Sequence, residues 1–148
     1  MLSAQNDAAA PETIRVGPLT MRFLAPGAPN TASVTAFEMT VPPNGFHPEA
    51  HSHVDADELV VGIEGELTYE ADGRRYVLHA GESAFCPHGA IHQFRNEGST
   101  TARALFVLTP GTIGIGYFRE VAALLTSGGP PDRAKMHAVM TRHGLTPA

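Results

Sequence analysis

Between Ile14 and Thr109 the chain is interrupted at short intervals by clusters of turn-forming residues: APGAPN, PPNG, ADGR, HAGE and NEGS. The segments between them are short and rich in Val, Ile, Thr, Phe and Tyr, which suits strands packed on a half-buried sheet and leaves little room for helices. This punctuation restricts the region to an all-β fold, a sandwich or a barrel. The clearest unit is GELTYEADGRRYVLHAGE, where Asp72-Gly73 separates ELTYEA from RRYVLH. A two-residue primed turn needs residues that tolerate positive φ, and Asp-Gly supplies them, so a hairpin is expected there. SVTAFEMTV and ARALFVL are further strands, both placed near the centre of a sheet by their apolar content.

The character changes after Pro110. GYFREVAALLTS puts Phe118, Val121, Ala122 and Leu125 on one helical face, and the glycines after it stop the helix. PPDRAKMHAVMTRHG has prolines at its start, a stripe of Met136, Val139 and Met140, and Gly144 just past its end, so it reads as a second helix. Both stripes are packing surface, either for the barrel or for a second subunit. The expected division is a flexible tail over 1–13, a barrel over 14–110 and a helical extension over 111–148. Glycines at 111, 114 and 116 lack the G-x-G-x-x-G spacing of a dinucleotide site.

With 148 residues, 43% of them apolar, the chain is long enough to bury one core without staples. The formal charge is −5, and the ten Lys and Arg residues form no run, so the basic footprint of a nucleic-acid binder is missing. Cys86, the only cysteine, excludes a disulfide framework and a cysteine-built zinc site, and is expected as a small buried strand residue. The N-terminus shows no basic and apolar leader pattern, and no run of about 18 apolar residues occurs, so the expectation is a cytoplasmic protein without a membrane partner.

One stretch stands apart: GFHPEAHSHVDADELVVGIEG, from Gly45 to Gly65. A strand turns alternate side chains to the same face, so His51 and His53 would present both imidazoles together. Glu58 opens the next strand, ELVVGI, and a tight turn through VDAD would return its carboxylate towards them. A third imidazole must then come from elsewhere. GESAFCPHGAIHQFRN offers one, with Gly81, Pro87, Gly89, His92 and Asn96. At these ten positions the two stretches resemble the two motifs of the cupin superfamily, separated by a short gap, residues 66 to 80.

That resemblance implies a double-stranded β-helix, or jelly-roll barrel, followed here by two short C-terminal α-helices. It also implies one divalent transition metal ion inside the barrel, held by His51, His53, Glu58 and His92. Three imidazoles and a carboxylate accept Fe, Mn, Ni, Co, Cu or Zn and leave one or two positions open. Gly65, Gly81, Gly89 and Pro87 fit turn positions, and Asn96 is expected to bond turn backbone. His47 and Glu49 share parity with the two paired histidines and are candidate pocket residues. His88 reads as a turn residue, and His79, His137 and His143 as surface. Parity on the Glu58 strand turns Val60 and Gly62 inward, and on the His92 strand Phe94. The small residues among them suggest an apolar cavity wide enough for a ring beside the metal.

The function expected from the resemblance is that of a metal-dependent dioxygenase, comparable to quercetin dioxygenase-like cupins, acting on a small aromatic or enolic substrate with Glu58 as both ligand and proton acceptor. Two rivals stand beside it: a non-catalytic metal or small-molecule binding protein, serving as a sensor or accessory subunit, and a metal-dependent lyase or isomerase that needs no oxygen. A homodimer is expected, partly from the resemblance and partly from the two helical stripes, in which the first strands or the helices after Pro110 cover apolar surface that one barrel would leave exposed.

Overall fold

The computed structural model describes residues 10–29, 32–44, 47–126 and 130–148. Gly45, the first glycine of the histidine stretch, the first nine residues of the expected tail and the glycine pair after the first helix lie outside them.

Among the described residues eleven strands and two helices follow one another as β1 (Glu12–Val16), β2 (Leu19–Pro26), β3 (Thr35–Val41), β4 (His51–His53), β5 (Asp57–Glu64), β6 (Leu67–Ala71), β7 (Arg74–Leu78), β8 (Ser83–Cys86), β9 (His92–Arg95), β10 (Ala102–Thr109), α1 (Ile115–Leu125), α2 (Arg133–Arg142) and β11 (Leu145–Pro147). The strands form two antiparallel sheets. One has six strands in the order β1-β2-β3-β10-β5-β8; the other has five, β11-β4-β9-β6-β7. This is the expected double-stranded β-helix. From β3 onwards successive strands exchange sheets except at the β6–β7 hairpin, so elements adjacent in sequence, such as β4 and β5, lie in opposite sheets.

The hairpin at Asp72-Gly73 forms as its turn chemistry requires. Asp72 has φ 50° and Gly73 φ 77°, and the strands pair from Ala71↔Arg74 to Leu67↔Leu78. β3 and β10 lie side by side in the six-stranded sheet, with Phe37 opposite Phe106 and their rings stacked at 5.3 Å. Alternation along both strands sends one side chain in two into the core. Asn96 binds turn backbone: its amide donates to the carbonyls of Val41 and Thr100, and its carbonyl accepts from Gly98 N.

Both helical stripes turn towards the barrel of their own chain. Phe118 sits 5.1 Å from Phe37 and 5.7 Å from Phe23, ring centre to ring centre, while Val121, Val139 and Met140 are buried in the same core. α2 begins on an Asp132 cap, whose carboxylate accepts from Lys135 N. The stripes therefore pack on their own barrel, with Phe118, Ala122, Leu125 and Met136 only partly buried by it.

One element was not expected. After Gly144, at φ 83°, the chain turns back as β11 and pairs with β4, Leu145 opposite His53 and Pro147 opposite His51. The extension is thus helical only in part, and its last strand completes the sheet that carries the paired histidines. β1 also starts at Glu12, two residues inside the expected tail. No helix among the described residues is long and apolar enough to cross a membrane.

Candidate metal centre

His51 and His53 lie on β4 with one residue between them, and the strand directs both rings into the barrel. β9 lies beside β4 and pairs His51 with His92. The three rings form a triangle, with centres 4.6 Å apart for His51–His92 and His53–His92 and 5.2 Å for His51–His53. One ligand atom from each falls within 4.8 Å of the others, a spacing that could hold a metal ion. All three come from the five-stranded sheet. Glu58 approaches from the opposite one, on β5, with Oε2 3.4 Å from His92 Nε2.

Backbone carbonyls settle which nitrogen faces the centre on two of the rings. Glu49 O lies 2.7 Å from His51 Nδ1, and Ala90 O lies 3.1 Å from His92 Nδ1. A carbonyl can only accept, so each Nδ1 carries the proton and each Nε2 is left with a lone pair. Cys86 Sγ adds a contact at 3.4 Å to His92 Nδ1. His53 and His92 are almost fully buried, yet His53 Nδ1 and His92 Nε2 have no hydrogen-bond partner among the described residues. Buried polar nitrogens normally find one. Their isolation, together with three neutral imidazoles facing each other, fits a site whose missing partner is a cation.

Electrostatics agree. Burial, followed by the neighbouring His92 and His51, holds His53 down at about 2. Burial likewise lowers His51 and His92. All three are neutral near pH 7, the form that binds metals. Burial raises the Glu58 carboxyl above its usual range, and the hydroxyl of Tyr69 pulls the other way.

Tyr69 is the functional-site residue that the sequence reading missed. It lies on β6, is fully buried, and donates from its hydroxyl to Glu58 Oε2 at 2.5 Å. Burial, then the Glu58 charge, raises its ionisation range, so it acts as a donor. Alternation on β6 would have turned Tyr69 inward, but nothing in the sequence shows that β6 passes beneath Glu58.

The histidines open onto a cavity of about 510 Å³, lined mainly by apolar side chains of β1, β2, β3, β10 and the two helices. His47, Glu49 and Phe94 reach it as parity proposed, the first two at its mouth. There Gln93 Nε2 meets His47 Nδ1 at 3.0 Å and donates to Pro48 O, while Glu49 accepts from Arg133 and pairs with His137. Val60 and Gly62 do not open it. Val60 is sealed into the core, and a Cβ at Gly62 would stand 2.2 Å from His79 O, because the β7–β8 turn closes directly on that glycine. The room beside the histidines comes from the far side of the barrel instead. His88 pairs with Asp57 and His79 with Glu66 and Glu82, all at the surface as expected. His137 and His143 are half-buried, tied to Glu49 and Glu120.

Residues 37–108 match the cupin domain family. Sixty residues, 40% of the chain, are 37% identical to the polyketide synthase CurC of Streptomyces cyaneus over 39% of that protein. A longer stretch of 122 residues, 82% of the chain, is 27% identical to the endoribonuclease YbeY of Myxococcus xanthus, again over 39% of its length. The chain thus spans about two fifths of the curated relatives it matches. Among solved structures, an RmlC-like cupin from Shewanella frigidimarina is similar with a TM-score of 0.58 over 68% of this chain and 84% of that one, at 22% identity. The matching domain family, the paired sheets and the three convergent histidines agree, and residues 37–108 are a domain of the cupin superfamily.

Proposed function

We propose that the protein is a metal-dependent cupin dioxygenase that acts on a small aromatic or enolic substrate, with a divalent transition ion held by His51, His53, His92 and Glu58. The observation that carries the reading is the union of orphaned imidazole nitrogens with an apolar cavity of about 510 Å³. A bound ion of this kind supplies Lewis acidity towards a substrate oxygen and a means of activating dioxygen. The chain's own residues do the rest. Phe94 and Phe106 line the cavity where a flat ring would lie, the apolar lining disfavours water, and Glu58 accepts the enolic proton while Tyr69 holds its Oε2 in place. Both atoms of dioxygen then enter the substrate. The similarity to a protein named as a polyketide synthase supports a ligand of this kind, since polyketide chains carry enolic and phenolic oxygens.

The Glu58–Tyr69 pair favours one second reading. A carboxylate and a phenol in contact can exchange a proton with an enol with no oxygen consumed, which is lyase or isomerase chemistry. Metal analysis of protein purified without a tag or chelator, followed by oxygen uptake against flavonols, phenols and 1,3-diketones, tests both. Oxygen consumed in step with substrate supports the dioxygenase. Turnover that persists under nitrogen replaces it with the second reading, and an absence of bound metal overturns both.

A further inference from the structure

We propose that the two C-terminal helices form the specificity wall of the site and select a neutral, apolar ligand body of about two or three fused rings, with its oxygens confined to the histidine end. The inference rests on the proposed metal-centre reading for the ligand's orientation.

The cavity does not end at the barrel. From the histidines it runs across the inner face of the six-stranded sheet, past Met21, Met39 and Leu108, to Tyr117 and Val121 of α1 and Met136 and Met140 of α2. Its volume, about 510 Å³, lies in the range of about 300–1,000 Å³ that takes drug-sized ligands, and a two- or three-carbon acid would leave most of it unfilled. Four methionines line it, flexible and polarisable side chains that adapt to the edge and face of a flat ring.

Charge narrows the class. Of the Lys and Arg side chains only Arg133 lines the cavity, at the mouth, where it is 3.0 Å from Glu49 Oε1; Glu49 Oε2 is taken by His137 at 2.8 Å. Glu58, the one carboxylate inside, is engaged by Tyr69. A phosphate or carboxylate pushed towards the helices would lose its water and meet no cation but Arg133, already paired with Glu49, an arrangement that proteins avoid. Away from the mouth, where His47, Gln93 and Arg133 stand, the wall offers nitrogens to an oxygen only at the three histidines. The ligand is therefore apolar along its body and polar at one end.

The test uses chelator-treated full-length protein and the neutral fluorophore N-phenyl-1-naphthylamine, with metal content measured on matched untreated samples. One probe per chain is expected, at a micromolar Kd and undisturbed by millimolar oxalate or glucose 6-phosphate. Met140→Trp fills the cavity from the helix side, and Met136→Trp, at a half-buried position, does so with less demand on packing. With circular dichroism unchanged, each should weaken binding at least ten-fold. Phe85→Ser, which removes an exposed ring on the outer face, should leave it unchanged. Binding that survives both tryptophans, that disappears with Phe85→Ser, or that fails to saturate overturns the specificity wall. Protein that carries one metal per chain but takes no probe sinks this inference and spares the metal centre. Probe bound by protein that never holds metal does the reverse.

Discussion

Replacing Tyr69 with Phe deletes one oxygen from a fully buried side chain and leaves Glu58 Oε2 without its donor. Hydrogen bonds to charged groups contribute about 1.5–3 kcal/mol, and a buried carboxylate stripped of its donor also loses the compensation for its desolvation. Protonation of Glu58 relieves part of that loss, because burial already raises its range and the Tyr69 bond is the largest influence lowering it. The net expectation is a loss of about 2 kcal/mol at pH 7 in metal-free protein, or a fall in Tm of roughly 4–8 °C for a domain of this size. Urea denaturation of chelator-treated protein measures it, with Tyr76→Phe as the control. Tyr76 is the cross-strand partner of Tyr69 on β7 but is only half-buried and lies on a strand that does not reach Glu58. A Tyr69→Phe protein within about 0.5 kcal/mol of the parent, or a Tyr76→Phe protein equally weakened, would refute the argument that this hydroxyl holds the carboxylate.

Acid should destabilise the metal-free protein: the three histidines have folded pKa values below the unfolded 6.5, so the unfolded chain takes up protons first and stability is lost as pH falls below about 6.5. Glu58 has the opposite sign, since its raised folded pKa favours the protonated form in the native state, and three groups against one leave a net slope of up to about 2.7 kcal/mol per pH unit; a flat Tm between pH 7 and 5.5 would contradict this, and added metal should move the drop to lower pH. Glu58→Gln should keep most of the metal on three imidazoles but lower turnover by about 10² to 10⁴ at full occupancy, whereas His53→Ala should lose metal and activity together; near-normal turnover of Glu58→Gln, measured beside occupancy, removes the base role. The homodimer expected from the sequence, through the first strands or the helices, is tested at the first strands, where β1 is an edge of the six-stranded sheet and Leu24 is exposed on β2 beside it. Sedimentation should find a dimer that Leu24→Asp converts to monomer, and a dimer indifferent to that change excludes this face.

What could be read from the sequence was local or periodic. Asp72-Gly73 specified its turn because few other residue pairs tolerate those backbone angles. Period-two alternation placed His51 with His53 and turned Phe94 inward, and 3.6-residue spacing found both helices. The cupin resemblance then joined stretches that no local argument could bring together. What escaped were contacts between sheets. Parity states which way Tyr69 and Gly62 point, but not that the first meets Glu58 and the second the backbone of His79. β11 carries too weak a signal to be seen, since Leu-Thr-Pro has neither the length nor the pattern of a strand and is held extended by pairing with β4. His137 looked like a surface histidine because its partner, Glu49, lies far away in sequence.

The pairing of β11 with β4 also bears on how the site comes into being. β4 has three residues and shares one residue pair with β9 but three with β11, so most of its ladder waits on a segment from the opposite end of the chain. Such distant pairings close large loops and form late in folding. His51 and His53 would thus acquire a fixed spacing only in the final steps, once α1 and α2 have docked and Gly144 has turned the chain back. Metal capture should then follow folding rather than nucleate it, with the ion entering a barrel whose hydrophobic core has already formed.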